Sequence, residues 1–184
     1  MKISNFRIST GKIKNNEHFR IVHISDLHKK KFGSDNSVLS EKILSLNPEA
    51  VFMTGDMISR SSSDLSALKA LINDITEKLP VYYSLGNHEQ DAELINPGIY
   101  SELISFVKSK CTLLDNESCC IEKENFRVNV SGLTVFRECY KVNGHYRNLK
   151  KLKKLLNNMK NIKLEFHQML ENYMLHLIIM EFTQ

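Results

Sequence analysis

Three short apolar runs, each about thirty residues from the next and each closed by a small polar cluster, constrain this chain more than any other feature. Arg20-Ile21-Val22-His23-Ile24-Ser25 is short and β-branched and is bounded by Asp26, the pattern of a buried strand. Ala50 to Thr54 repeats it and ends at Gly55-Asp56; Val81 to Leu85 repeats it again and ends at Gly86. Between the first two runs, Val38, Leu39, Ile43, Leu44 and Leu46 recur at helical spacing, with Ser34 and Asp35 as candidate N-caps and Asn47-Pro48 as the stop. Between the second and third, a serine-rich loop from Ser59 to Ser63 leads to a stripe of Leu65, Leu68, Leu71, Ile72 and Ile75, with Pro80 at its exit. Strands separated by helices make a parallel sheet with right-handed crossovers, so the expected class is α/β.

In an open α/β sheet, ligands bind just outside the carboxyl ends of the strands. The unusual residues fall there. The first strand ends Ser25-Asp26-Leu27-His28, the second Thr54-Gly55-Asp56 and the third Gly86-Asn87-His88-Glu89. Asp26 and Asp56 are 30 residues apart and Asp56 and Asn87 are 31 apart, so each crossover returns one cluster to the same edge. Carboxylate oxygen, imidazole nitrogen and amide oxygen suit a borderline or hard divalent ion such as Mn, Fe or Zn, whereas a thiolate site would use cysteines. A carboxylate bridges two ions readily, and two ions about 3.5–4 Å apart clamp the attacking and leaving oxygens of a phosphoryl displacement. Asp56, in the middle cluster, is the natural bridge. Gly55 and Gly86 directly precede the ligands and are expected to let the backbone bend close to a metal or phosphate.

Ile21 to His28, Val51 to Asp56 and Tyr83 to Glu89 resemble the first three motifs of the calcineurin-like metallophosphoesterases, in wording similar to the bacterial YkuE-like branch. The resemblance implies that Asp26 and His28 bind a first metal, that Asp56 bridges, and that Asn87 binds a second. It places His88 beside the substrate phosphate, either stabilising it or protonating the leaving oxygen, a role suited to an imidazole that titrates near neutral pH. It also implies a β-sheet sandwich flanked by helices, two metal ions, and a phosphomonoester or phosphodiester substrate attacked by a metal-activated water.

The resemblance covers roughly residues 18–140, and residues 141–184 are atypical. The family pattern continues with a later His and a Gly-His-x-His motif; Gly144-His145-Tyr146-Arg147 lacks the second His, and His167 stands in an unfamiliar context. The chain therefore reads as a family member with an incomplete C-terminal part. Counting ligands, the first metal keeps Asp26, His28 and Asp56, while the second keeps Asp56 and Asn87 unless His167 or another subunit contributes. One ion is expected to bind well. The alternative to an active phosphoesterase is a truncated, catalytically impaired metal-binding fragment.

Composition narrows the rest. With 184 residues, 42% hydrophobic and 25% charged, one domain with a real core is expected over residues 1–184. Net charge is +4 and spread out, a weak signal for nucleic acid, and the lysines from 150 to 163 have no interleaved aromatics. The cysteines, including adjacent Cys119 and Cys120, show no C-x-x-C spacing, so a reduced, cytoplasmic setting is the simpler expectation. Met1 to Asn16 mixes Lys2, Arg7, Lys12 and Lys14 with isolated apolar residues, so a secretory leader is not expected there. The longest apolar run, Met174 to Met180, contains His176 and is far short of the ~20 residues of a spanning helix. Taken singly, Asp26 is readable as an N-cap, Asp56 as a turn residue and His28 as a surface histidine. His23, inside a strand, reads as a satisfied core or edge histidine. Lys29, Lys30 and Lys31 either attract a phosphorylated substrate or line a solvated loop. Oligomeric state is not legible.

Overall fold

A strand that is apolar at nearly every position has no wet face and must be covered on both sides. That requirement organises the structure. The computed structural model describes residues 2–9, 18–123, 127–134, 141–142, 145–146 and 176–183. In chain order the elements are β1 (Lys2–Ser9), β2 (Phe19–Ser25), α1 (Ser37–Ser45), β3 (Ala50–Thr54), α2 (Ser66–Thr76), β4 (Val81–Ser84), α3 (Asn87–Ile95), α4 (Pro97–Lys110), β5 (Thr112–Leu113), β6 (Ser118–Glu122), β7 (Arg127–Ser131), β8 (Lys141–Val142), β9 (His145–Tyr146) and β10 (His176–Thr183).

The main sheet has the order β1-β10-β2-β3-β4-β5. From β2 to β5 its four strands are parallel, as the alternation of strands and helices requires. Val22, Val51 and Val81 lie in register, and so do Ile24, Met53 and Tyr83. Because side chains alternate across a strand, these six share one face. They join one core with Leu39 and Ile43 of α1, Leu71, Ile72 and Ile75 of α2, and Leu103 and Val107 of α4. On the opposite face Phe19, Ile21, Ala50 and Phe52 pack with Leu114 and Val130, flanked by Cys119, Ile121 and Val128 of the β6–β7 hairpin. Helices on one side and a hairpin on the other give the expected sandwich.

Several local expectations change. Ser34 and Asp35 are not the N-cap of α1: Asn36 is, in a left-handed conformation with φ 68°. Its side chain serves tertiary structure instead, accepting Phe32 N–H at 2.9 Å and donating to the Ala67 carbonyl at 3.1 Å. Asp35 Oδ1 takes the Ser37 N–H at 3.1 Å. α3 was not anticipated, because Asn87 to Glu93 carries no apolar stripe. β1 was unseen for a similar reason: its Phe6 and Ile8 are exposed on a strand at the sheet edge. The apolar C-terminal run forms β10, threaded between β1 and β2 and antiparallel to β2. Cys119 and Cys120 lie in β6. His23 is buried, its Nε2 hydrogen-bonded to the Thr54 hydroxyl, and burial holds its imidazole down at about 4 against the smaller opposing effect of the Asp26 charge. The helical spacing of Leu149, Leu152, Leu155 and Leu156, which reads as a helix over residues 147–161, and His167 lie outside the described residues. Among the described residues no helix is long and apolar enough to cross a membrane.

Candidate metal centre

The strand ends are made by an unusual backbone. Asp26, His28 and Asp56 adopt left-handed φ values of 58°, 53° and 54°, uncommon for residues with a Cβ. Such conformations cost about 1–3 kcal/mol each and persist where neighbours over-determine them. Here they are pinned across strands: Asp26 N donates to the Gly55 carbonyl at 3.3 Å and His28 N to the Asp56 carbonyl at 3.0 Å. The glycines have a different purpose from the one expected. A Cβ on Gly55, whose φ is 85°, would stand 2.5 Å from Cα of Gly86, and a Cβ on Gly86 would overlap Asp56 and come within 2.9 Å of Glu89 Oε2. What the missing side chains admit is the neighbouring strand end, and that closeness brings the polar clusters together.

His28, Asp56 and His88 each offer a ligand atom, and these atoms lie within 4.8 Å of one another. The two imidazole rings stand 4.4 Å apart between centroids. Asp56 is 3% exposed. Asp26 lies at the rim of the group, its Oδ1 3.8 Å from His28 Nε2. Asn87 begins α3, half-buried, immediately before His88. His88 was expected beside a substrate rather than among ligands, and the fold puts one of its nitrogens within the ligand group. The Asp56 carboxylate and the His28 imidazole, with the Asp26 carboxylate at the rim, form a nitrogen and oxygen set that suits a borderline divalent ion, so these residues fit such a metal.

The two histidines are held in opposite ways by the backbone. His28 Nδ1 lies 3.3 Å from the Ile58 carbonyl. A carbonyl only accepts, so Nδ1 carries the proton and Nε2 presents a lone pair, the arrangement of a metal-ligating histidine. His88 Nδ1 instead accepts the backbone N–H of Arg60 at 3.2 Å. Its proton therefore sits on Nε2, which becomes a donor. Burial keeps this imidazole below its ordinary pKa, with the Asp56 charge opposing and His28 and Arg60 reinforcing. Arg60 Nη2 is 3.3 Å from that same Nε2, while Arg60 Nη1 pairs with buried Asp91 at 3.4 Å. With its proton on Nε2, His88 sets that donor beside the Arg60 Nη2 donor, a pair that a shared oxyanion would satisfy.

Underneath lies a buried carboxylate that the sequence reading quoted without a role. Glu89 is fully buried. Its Oε2 accepts Asp56 N at 2.8 Å and Gly86 N at 2.9 Å; its Oε1 accepts Met57 N at 2.8 Å, Ile58 N at 3.4 Å and the Tyr83 hydroxyl at 3.1 Å. Burial first, and the Asp56 charge second, push this carboxyl up to about 7, against the pull of the backbone donors. Each of those five neighbours donates, so the cage is built for the ionised form. Glu89 is the third residue of α3 and reaches back to the N–H of the N-cap Gly86, the glutamate half of a capping box, legible once α3 is recognised. Arg60 and Asp91 carried no such local mark.

The sequence profile described as Calcineurin-like phosphoesterase matches residues 19–176. The chain belongs to the calcineurin-like phosphoesterase family. Over 73 residues it is also 37% identical to the UDP-2,3-diacylglucosamine pyrophosphatase LpxG of Chlamydia muridarum, a stretch that is 38% of this chain and 22% of that protein. The match thus spans about a fifth of the relative's length. The calcineurin-like family is metal-dependent, and His28, Asp56 and His88 form a group that could hold a metal ion.

Proposed function

We propose that this chain is a metal-dependent phosphoesterase cleaving a phosphomonoester or phosphodiester, related to the YkuE-like branch and working in the cytoplasm. The observation that carries the reading is the meeting of His28, Asp56 and His88 within 4.8 Å at the carboxyl ends of parallel strands. Divalent ions held there would supply a water of lowered pKa as nucleophile and would take up charge on the phosphoryl oxygens. Asp26, His28 and Asp56 would hold the first ion, with Mn, Fe or Zn suited to the set, and Asp56 and Asn87 the second. With two protein ligands, the second ion is the weaker. His88 acts as a neutral Nε2–H donor to a phosphoryl oxygen, because its Nδ1 accepts from Arg60; Arg60, anchored on Asp91, offers the second donor. The relative's name as a pyrophosphatase adds phosphoanhydrides to the substrate classes worth testing.

The test is turnover of 4-nitrophenyl phosphate and bis(4-nitrophenyl) phosphate by the manganese-loaded chain, with metal content measured in parallel. Activity abolished by Asp56→Ala and His88→Ala supports the reading. Metal bound with no turnover above buffer would instead make this a catalytically impaired metal-binding chain. Two tightly held ions per chain would overturn the expectation of one strong site.

A further inference from the structure

A cavity of about 250 Å³ opens beside the metal group, and His28 belongs to both. Its walls are the loop after β2 and the serine-rich loop after β3, and each is pinned from behind. Asn36, 1% exposed, ties the first loop to the Ala67 carbonyl of α2. Ser62, also buried, holds the second: its hydroxyl accepts the Ser59 N–H at 3.0 Å and its carbonyl accepts the Asn96 amide at 3.4 Å. Ser61 next to it is exposed, and its Oγ accepts from Lys29 Nζ at 3.3 Å, so this hydroxyl already stands against a lysine. Lys29, Lys30 and Lys31 all line the cavity, and Asp64 is the one carboxylate among the lining residues. Both Asp64 oxygens accept from Ser66, through the backbone N–H and the hydroxyl, each at 2.8 Å. Three ammonium groups against one carboxylate leave an excess of two positive charges on the wall. A phosphoserine carries about 1.5 to 2 negative charges near neutral pH, which matches that excess.

We infer that Ser61 is a phosphorylation site, and that its phosphate docks among Lys29, Lys30 and Lys31 and hinders the approach of an anionic substrate to the metal group beside His28. The hindrance rests on the phosphoesterase reading; the docking does not. The modifying step is phosphoryl transfer from a nucleoside triphosphate by a serine kinase. The Ser61 Oγ–P bond forms, the bond from that phosphorus to the bridging oxygen of the nucleoside diphosphate breaks with its electron pair going to the diphosphate, and the hydroxyl proton passes to a base of the kinase. A hydroxyl that accepts one hydrogen bond from Lys29 is thereby replaced by three oxygens that accept charge-assisted bonds from the lysines. Ser61 is the serine of its loop suited to this, because the Ser62 hydroxyl is committed to the turn while Ser61 is both accessible to a kinase and aimed at the lysine wall. Docked there, the phosphate cancels the attraction of the lysines for an incoming phosphoryl group and adds repulsion in its place.

The experiment compares the full chain carrying phosphoserine at position 61, introduced during translation, with the unmodified chain, each also as the Lys29→Gln, Lys31→Gln double variant. Both lysines are exposed, so the double variant keeps the fold. Docking is read without turnover from the phosphorus NMR signal of the zinc-loaded chain. The phosphate of a free phosphoserine titrates near about 6. Held by lysines, its midpoint should fall by about half a pH unit or more, because nearby positive charge favours the dianion, and should return in the double variant. A midpoint that stays near the free value, or is equally low in the double variant, overturns the docking. With manganese loaded, phosphorylation should raise KM for bis(4-nitrophenyl) phosphate by about fivefold or more, and raise it less in the double variant. An unchanged KM overturns the hindrance. Should neither form turn over, the phosphoesterase reading fails while the NMR titration still decides the docking. Mass spectrometry of the chain isolated from its own cells should find phosphate on the tryptic peptide from Ser61 to Lys69; a peptide that is never modified, or modified only at Ser63 or Ser66, overturns the site.

Discussion

Glu89 Oε2 accepts the backbone N–H of Asp56 at 2.8 Å, so a buried carboxylate at the start of α3 holds the end of β3 in place. The bond links two strand ends whose side chains make the metal group, and Glu89 itself is not among the clustered ligands. Glu89→Gln would turn an amide NH2 toward donors at one end of the cage. A buried donor left facing donors costs about 1–3 kcal/mol. The expected outcome is a loss of stability of about that size and weaker metal binding, read by denaturant unfolding and metal titration. Unchanged stability would argue against the cage.

Gly86 has an ordinary extended backbone, with φ −97° and ψ −175°, so replacing it tests space alone. The Cβ of Gly86→Ala overlaps Asp56. Overpacking of this kind typically costs about 1–3 kcal/mol. We expect a reduced Tm and loss of manganese binding, and the same at Gly55→Ala with left-handed strain added.

His88 separates a donor from a general acid by substitution. If its Nε2–H only hydrogen-bonds a phosphoryl oxygen, His88→Gln, whose amide NH2 reaches a similar position, should keep more activity than His88→Ala. The expected losses are about tenfold for Gln and about a hundredfold or more for Ala. Equal losses in the two variants, together with an alkaline limb in wild-type kcat that both abolish, would point to proton transfer instead.

His23 sets a pH dependence of stability. Its folded pKa of about 4 lies below the ordinary 6.5, so the unfolded chain takes up a proton that the folded chain resists. The neutral form's stabilisation is complete above about pH 6.5, declines as pH falls, and is fully lost below about 4. The shift corresponds to about 3 kcal/mol. Urea midpoints measured between pH 7 and 4.5 should fall for wild type and fall less for His23→Gln.

Divalent metal should stabilise the fold by mass action, about 2.7 kcal/mol at a hundredfold excess over Kd. For a chain of this size that raises Tm by roughly 5–10 °C. Manganese should produce this shift, EDTA should reverse it, and Asp56→Asn should remove it. A shift that persists in Asp56→Asn would place the ion elsewhere.

Much of the scaffold was legible because it rests on local pattern. β-branched runs at Ile21 to Ile24 and Val51 to Met53 have few alternatives to buried strands, and Leu68, Leu71, Ile72 and Ile75 have few alternatives to a helix face. The interval from Asp26 to Asp56 to Asn87 follows from crossover length, so the arrival of ligands at one sheet edge was implied by counting. β1 and α3 left no pattern because Phe6 and Ile8 bury little and Asn87 to Glu93 is polar apart from Ala92.

The linear order of residues therefore determined the strands, the crossovers and the chemical types gathered at their ends, since each depends on neighbours within a few turns of chain. Only the tertiary structure decided which histidine nitrogen carries its proton, why Gly55 and Gly86 must be bare, what Glu89 holds, and that a lysine-lined cavity adjoins His28. Those properties arise between segments about thirty residues apart, such as Ile58 against His28 and Arg60 against His88, where hydrogen-bond direction and close approach exist only after the strands have been laid side by side.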